Sequence, residues 1–353
     1  MFARNSEFRT ELFRPSFFVV VAALLIFPWV ASDFFTFQIG AYSLLLGLIA
    51  LSLMMLGGYG GMVSLAQLTV AGFAGYMISI FGFNSVNVHG FGWPWWVLIP
   101  AVIFASAIVS ALIGSVAVRT EGIYTIMITL AIAVAFFYFT RQNYVVFNGF
   151  NGFAGVEPPT LFGIDWRSSK PFYYLTLVVA GFFYLAVLYG SRSTFGLSLQ
   201  AVRDNARRMN SLGYNVTAIR VYAYFLSGII AGTAGVLLVW FNGRISPGTI
   251  SVGDAIDILV IAVVGGLRHP MGPFLGALAF VLLENFAIDL IDRERFNTVI
   301  GCAFLLVVLF SPDGLLGLWQ KAKERLFPKA FPKALPKAHT GSSDSKGSVD
   351  ITT

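Results

Sequence analysis

The chain has 353 residues, of which 57% are apolar and only 11% charged, where soluble domains average about 25% charged. A mean hydropathy of +0.78 leaves too little polar surface to cover a water-soluble globule, and repeated apolar runs of about twenty residues indicate helices that cross a bilayer. The formal net charge of +6 is then expected to reflect basic residues sorted by membrane side rather than nucleic-acid binding. No stretch shows the alternation over about ten residues that a barrel strand requires. Cys302 is the single cysteine, so no disulfide forms within the chain. His89, His269 and His339 are scattered without ligand spacing, so no metal is expected.

In chain order, MFARNSEFRTELFRPS precedes the first apolar run, FFVVVAALLIFPWV. No A-x-A-like site follows, so the run reads as a retained span behind a cytoplasmic arm, residues 1–15. Further spans are expected near 38–56, 62–82, 95–118, 123–140, 171–190, 221–241, 251–267, 272–289 and 296–311, the first lying near 16–32. The expected fold is an all-α polytopic membrane protein of about ten helices, eight at the fewest, with a transmembrane domain over 16–320. Two segments are weaker: 62–82 carries Ser64, Gln67 and Thr69, and 251–267 carries Asp254 and Asp257. Either suits a broken or partly inserted helix. WPWW (Trp93–Trp96) reads as an aromatic belt at the outer interface.

An even span number with the N-terminus inside places 17 Lys and Arg inside against 6 outside, or 10 against 6 without the tail. That bias makes both termini cytoplasmic, together with the loop 191–220. The tail, 321–353, repeats FPKAFPKALPKA and is expected to be disordered, its lysines resting against anionic lipid.

The loop 191–220 holds five arginines between two apolar runs. Within it Leu199, Val202, Ala206, Met209 and Leu212 or Gly213 recur at helical spacing, with Arg203, Asp204, Arg207 and Arg208 on the other faces. Gly213 reads as a helix stop. On the residues alone this is a helix lying in the membrane interface, a solvated linker, or a docking helix for a cytoplasmic partner.

FGLSLQAVRDNARRMNSLGYNVTAIRVYAYFLSGIIAGTAGVLL (Phe195–Leu238) resembles the coupling loop and following span of the LivM-type permeases of branched-chain amino acid ABC importers. Gly196, Ala201, Arg203 and Asp204 meet that family's loop pattern, and Gly213 falls on its glycine. GGYGGMVSLAQLTVAGFAGY (Gly57–Tyr76), TEGIYTIMITLAIA (Thr120–Ala133), VVGGLRHPMGPFLGALAFVLLE (Val263–Glu284) and FSPDGLLGLW (Phe310–Trp319) resemble further family segments in matching order. His269, Pro270 and Ala66 depart from the pattern and leave the substrate open.

The resemblance implies an ABC importer permease fold with a cytoplasmic coupling helix, in a bacterial plasma membrane. It implies transport of branched-chain or related small hydrophobic amino acids, with urea or an amide as the alternative within the family. Its partners would be a second homologous permease subunit, two cytoplasmic ABC ATPase subunits and an extracytoplasmic substrate-binding protein. No G-x-x-x-x-G-K-[ST] loop occurs, so this chain would bind no cofactor, and ATP and Mg would be handled by the ATPase subunits. An enzyme is disfavoured for want of a His, Asp, Glu or Cys cluster near the spans. An ion-coupled secondary carrier would rest on Glu284 alone.

Two residue groups follow. Ala201, Arg203, Asp204, Arg207 and Gly213 would couple to the ATPase, with the apolar stripe giving most of the docking energy. Ser64, Gln67, Thr125, Thr129 and Asn285 would line the translocation path, with Glu284 in a packing or gating role beside Arg293 or Arg295. Taken singly, each path residue reads first as bonding a neighbouring helix.

Overall fold

The computed structural model describes residues 15–84, 91–159, 163, 165–290, 301, 314, 315 and 317. The terminal arm up to residue 14, the span expected over 296–311 apart from Gly301, and the tail lie outside those residues. Helix α1 covers Pro15–Val30. A continuous helix follows over Phe35–Tyr59, in which α2 (Tyr42–Met54) is flanked by π-helical turns at Phe35–Ala41 and Met55–Tyr59. Next come α3 (Gln67–Phe81), α4 (Trp95–Ala117), α5 (Ile123–Gln142) and the single turn α6 (Tyr144–Phe147). After them run α7 (Ser169–Ser191), α8 (Thr194–Asp204), α9 (Ala206–Ser211) and α10 (Val216–Asn242). Helices α11 (Val252–Gly265) and α12 (Gly272–Leu290) complete the described bundle.

Five of these helices are long and apolar enough to cross a membrane: Phe35–Tyr59, α4, α5, α7 and α10. At 1.5 Å per residue the 25 residues of Phe35–Tyr59 reach about 37 Å, more than a hydrocarbon core of about 30 Å. The 15 residues of α3 and 14 of α11 reach only about 22 and 21 Å. The segment 62–82 therefore takes the broken form named for it above and is no full-length helix: Met62–Ala66 are not helical, and the helix begins at Gln67.

Among the described residues the all-α class is interrupted only by β1 (Phe153–Ala154) and β2 (Arg244–Ile245), an antiparallel pair with Phe153 opposite Ile245. This ribbon sits at the end of the bundle that also carries the exposed Trp29, Trp95 and Trp96, where indole rings favour the headgroup layer. Lys170 stands 5.3 Å above the Trp29 ring, and Trp29 Nε1 donates to the Tyr174 hydroxyl at 3.0 Å.

Phe35–Tyr59 forms the axis of the fold: Leu45, Leu48, Ile49, Leu51, Leu53 and Met54 are fully enclosed. Near its start Phe37 stacks on Phe241 at 4.5 Å between ring centroids, and Tyr42 on the same ring at 5.2 Å. The seam of α10 against α3 and α4 is made of small residues. A Cβ on Gly235 would meet the Ala71 carbonyl, and one on Gly228 would meet Ser110, Ala107 and the Ser106 carbonyl. Such seams bring backbones together where apolar lipid supplies no drive of its own. Ser110 fixes the register by donating to the Tyr224 carbonyl at 2.7 Å.

Candidate functional site

The segment between α7 and α10 folds as two short helices with a kink. Ser193 caps α8 by accepting from the Gly196 amide at 3.2 Å, and Asn205 caps α9 by accepting from the Arg208 amide at 2.9 Å. Asn205 is extended (φ −157°, ψ 93°), so the single helix expected across this stretch is broken there. Asx and Ser side chains satisfy orphan amides at helix starts, and the second helix begins where the first one's amide supply ends. Gly213 (φ +86°) closes α9: its amide reaches the Asn210 carbonyl, and the Tyr214 amide reaches the Met209 carbonyl. That is the left-handed stop for which glycine is suited. Asn215 then caps α10 through the Ala218 amide.

The apolar stripe exists but faces inward. Leu199 and Val202 are each 1% exposed and Met209 is 7%. Leu199 packs in a cluster with Leu56, Met62 and Tyr224 of this chain. The stripe therefore holds α8 and α9 on their own bundle and is not free to dock a partner, which corrects the expectation. The outward surface carries Leu197, Asp204, Arg207, Arg208, Leu212 and Tyr214. Ala201 is half-buried.

Arg203 is turned toward the bundle. Its Nη1 donates to the Gly58 carbonyl at 2.6 Å, while Nε and Nη2 both reach Asp204 Oδ1, at 3.0 and 2.9 Å. Beside it a cavity of about 350 Å3 is lined by Gly61, Thr120, Glu121, Thr125, Arg207 and Arg220 among others. Arg220 lies 4.0 Å from Glu121.

Four of the expected path residues converge at the break between Tyr59 and Gln67. The Leu65 amide donates to Thr129 Oγ1 at 3.2 Å. Thr129 in turn donates to the Thr125 carbonyl at 3.0 Å, and Thr125 to the Thr120 carbonyl at 3.0 Å. Ser64 accepts from the Ala66 amide at 3.4 Å. Gln67 Oε1 lies 3.2 Å from Ser52 Oγ and 2.9 Å from Ser227 Oγ. Each serine has a single proton and a backbone carbonyl within reach, Ile49 for Ser52 at 2.6 Å and Ser52 for Ser227 at 2.9 Å. Among the described residues Gln67 Nε2 has no partner, and the Tyr224 hydroxyl is directed at Ser64.

Glu284 and Asn285 are elsewhere. They sit late in α12, where Phe286 approaches Phe35, toward the tryptophan end. Asn285 donates to the Val281 carbonyl of its own helix at 2.8 Å. Glu284 Oε2 is enclosed without a partner among the described residues, within electrostatic range of Asp254 and Asp257. Arg293 and Arg295 lie outside those residues. Among the described residues no His, Cys, Asp and Glu group could hold a metal.

Sequence reasoning missed Ser52, Ser227 and Tyr224, which belong to the polar centre, and the caps Asn205 and Asn215. The caps carried a usable signal, an Asn directly before a helical run. The serines carried only a hydroxyl in an apolar run, the same weak signal as Thr125 and Thr129.

Residues 35–309 match a family profile described as "Branched-chain amino acid transport system / permease component". The chain is 27% identical over 285 residues to the high-affinity branched-chain amino acid transport system permease protein LivM of Salmonella typhimurium. That match covers 73% of this chain and 66% of the relative, so the chain spans just under two thirds of that protein's length. It is likewise 27% identical to LivH of the same organism, over 76% of this chain and 90% of the relative. A probable ABC transporter permease protein, YphD of Escherichia coli, is 28% identical over 45% of this chain and 50% of its own length. No solved structure matches the chain significantly. With its apolar helices and a profile match running through most of them, this chain belongs to the branched-chain amino acid transport system permease family.

Proposed function

We propose that the chain is the membrane-spanning permease subunit of an ATP-driven importer for branched-chain or related small hydrophobic amino acids, set in a bacterial plasma membrane with about ten spans and both termini cytoplasmic. It works with a second homologous permease, two cytoplasmic ATPase subunits and an extracytoplasmic binding protein. Nucleotide hydrolysis belongs to the ATPase subunits, in keeping with the missing phosphate loop.

The observation that carries this reading is the capped pair α8–α9. It is covalently continuous with two spans, seated on the bundle by Leu199 and Val202, and exposes Arg207, Arg208, Leu212 and Tyr214 outward. A rigid element with cationic and aromatic groups on its free face suits docking to an ATPase groove, where charge sets register and partner choice. The polar centre at Ser64, Gln67, Thr125 and Thr129 supplies hydroxyls and an amide for a small zwitterion at the inner end of the path.

Proteoliposomes test this. With binding protein outside and the ATPase subunits and ATP inside, radiolabelled leucine is accumulated, and excess unlabelled valine but not urea competes. Competition by urea alone moves the substrate to the amide class. Accumulation against a gradient by the chain without ATPase subunits contradicts the importer.

A further inference from the structure

Arg203 was expected on the ATPase side of the loop, yet its guanidinium points the other way. The Gly58 carbonyl it meets belongs to the last turn of Phe35–Tyr59, where carbonyls run out of intrahelical donors. Gly58 is gripped from a second side as well, since a Cβ there would meet the Leu267 carbonyl in the α11–α12 turn. Gly61 has φ +69°, and a Cβ on it would stand 2.6 Å from Arg203 Cγ. The arginine stem thus lies in a notch formed by absent side chains, with its head on the helix end.

The chain leaving that notch is Met62–Ala66, and it ends in the polar centre, where Leu65 is tied to Thr129 and Gln67 sits against Ser52 and Ser227. Beneath α8 an apolar cavity of about 190 Å3, lined by Tyr59, Phe183, Val187, Phe195, Leu199 and Ile230 among others, leaves room for the helix to shift. Close-packed interiors transmit displacement because their side chains cannot yield separately.

We infer that Arg203 is a positioning residue that links α8 to the Gly58–Gln67 break, so that displacement of the α8–α9 pair reaches the polar centre through this chain's own backbone. This rests on the proposed importer function and assigns Arg203 an internal role within it. Asp204 holds the guanidinium plane by accepting from two of its nitrogens, and lysine, a point donor without the fork, supplies only part of the link.

The test uses the chain co-expressed with its ATPase subunits, with Cys302→Ser and Val63→Cys giving a single thiol reporter in the break. Four backgrounds are compared: unchanged Arg203, Arg203→Gln, Arg203→Lys and, as the docking-face reference, Arg207→Glu. ATPase co-purification and the ATP-dependent change in thiol labelling are both measured. Arg203→Gln is expected to retain the ATPase subunits while the labelling change falls about tenfold, the scale of one lost charge-assisted hydrogen bond. Arg203→Lys should recover part of it. An unaltered labelling change in Arg203→Gln overturns the inference. So does loss of the ATPase subunits from Arg203→Gln to the extent seen with Arg207→Glu, because Arg203 is then a docking contact. If the parent with unchanged Arg203 retains no ATPase subunit, the importer function itself fails, and this inference with it.

Discussion

The α7–α10 connection and the α10 seam are joined at Asn215, and they are built by opposite rules. Residues 192–215 are held by caps, a left-handed glycine and a few inward apolar side chains, with most of their polar surface free. A little further along the same helix, Gly228, Gly232 and Gly235 bring α10 against α3 and α4 with no space for a methyl group. The first region can be displaced at low cost. The second cannot change separation without breaking backbone contact. A push on the loop is therefore carried as motion of whole helices rather than absorbed by side chains.

The sharpest way to break this contrast is to enlarge the seam. A Cβ on Gly235 would collide with the Ala71 carbonyl and Cα, backbone atoms that cannot rotate away. Gly235→Leu is expected to destabilise the bundle by about 3 kcal/mol or more, read as loss of folded protein in a detergent thermal-shift assay. A folded, normally stable Gly235→Leu protein would mean that the seam is not rigid. On the loop side the expected effect is on association. Arg207→Glu reverses an exposed charge on the free face of α9 and should reduce ATPase co-purification about tenfold or more, with insertion and thermal stability unchanged. An equal fall in stability would place Arg207 in the fold instead of at the interface.

The polar centre offers a sharper form of the comparison, because it lies between the two regions. Gln67 is 1% exposed, yet the serines it meets keep their own carbonyl acceptors without it. Gln67→Leu strands no buried proton and keeps the volume, so its stability cost should stay below about 1 kcal/mol. Uptake in proteoliposomes should still drop severalfold if the amide meets the substrate. Unchanged uptake would leave Gln67 as a helix-bonding residue only.

Most of the fold is legible in the sequence because membrane spans are set by apolar length, a property each segment carries alone. The expected starts and ends of α4, α5, α7 and α10 fall within a few residues of those observed. Ser64, Gln67 and Thr69 mark 62–82 as a candidate broken helix, but hydropathy alone does not place the break at Met62–Ala66. The loop shows the deeper limit. Periodicity at Leu199, Val202 and Met209 reveals that a helix has an apolar face, but not whose surface covers it. The inward turn of Arg203 depends on a carbonyl 145 residues earlier in the chain, and no local pattern encodes that. Likewise Glu284 and Asn285 were grouped with Ser64 and Gln67 by polarity, while the direction of α12 carries them to the opposite end.

The smallest expected effect concerns Gly213, and it separates conformation from contact. Its φ of +86° disfavours any L-residue, but a Cβ there would meet nothing within 4 Å. The penalty is therefore backbone strain alone, about 1 kcal/mol for Gly213→Ala. Asparagine tolerates the left-handed region better, so Gly213→Asn should cost a few tenths of that scale. Both variants are measured for ATPase co-purification and thermal midpoint. If the two differ as alanine and asparagine do, the glycine matters because it stops α9 at Ser211 and presents Tyr214. If both abolish co-purification equally, the partner approaches the bare glycine backbone itself, and the docking surface extends beyond the arginines to the turn.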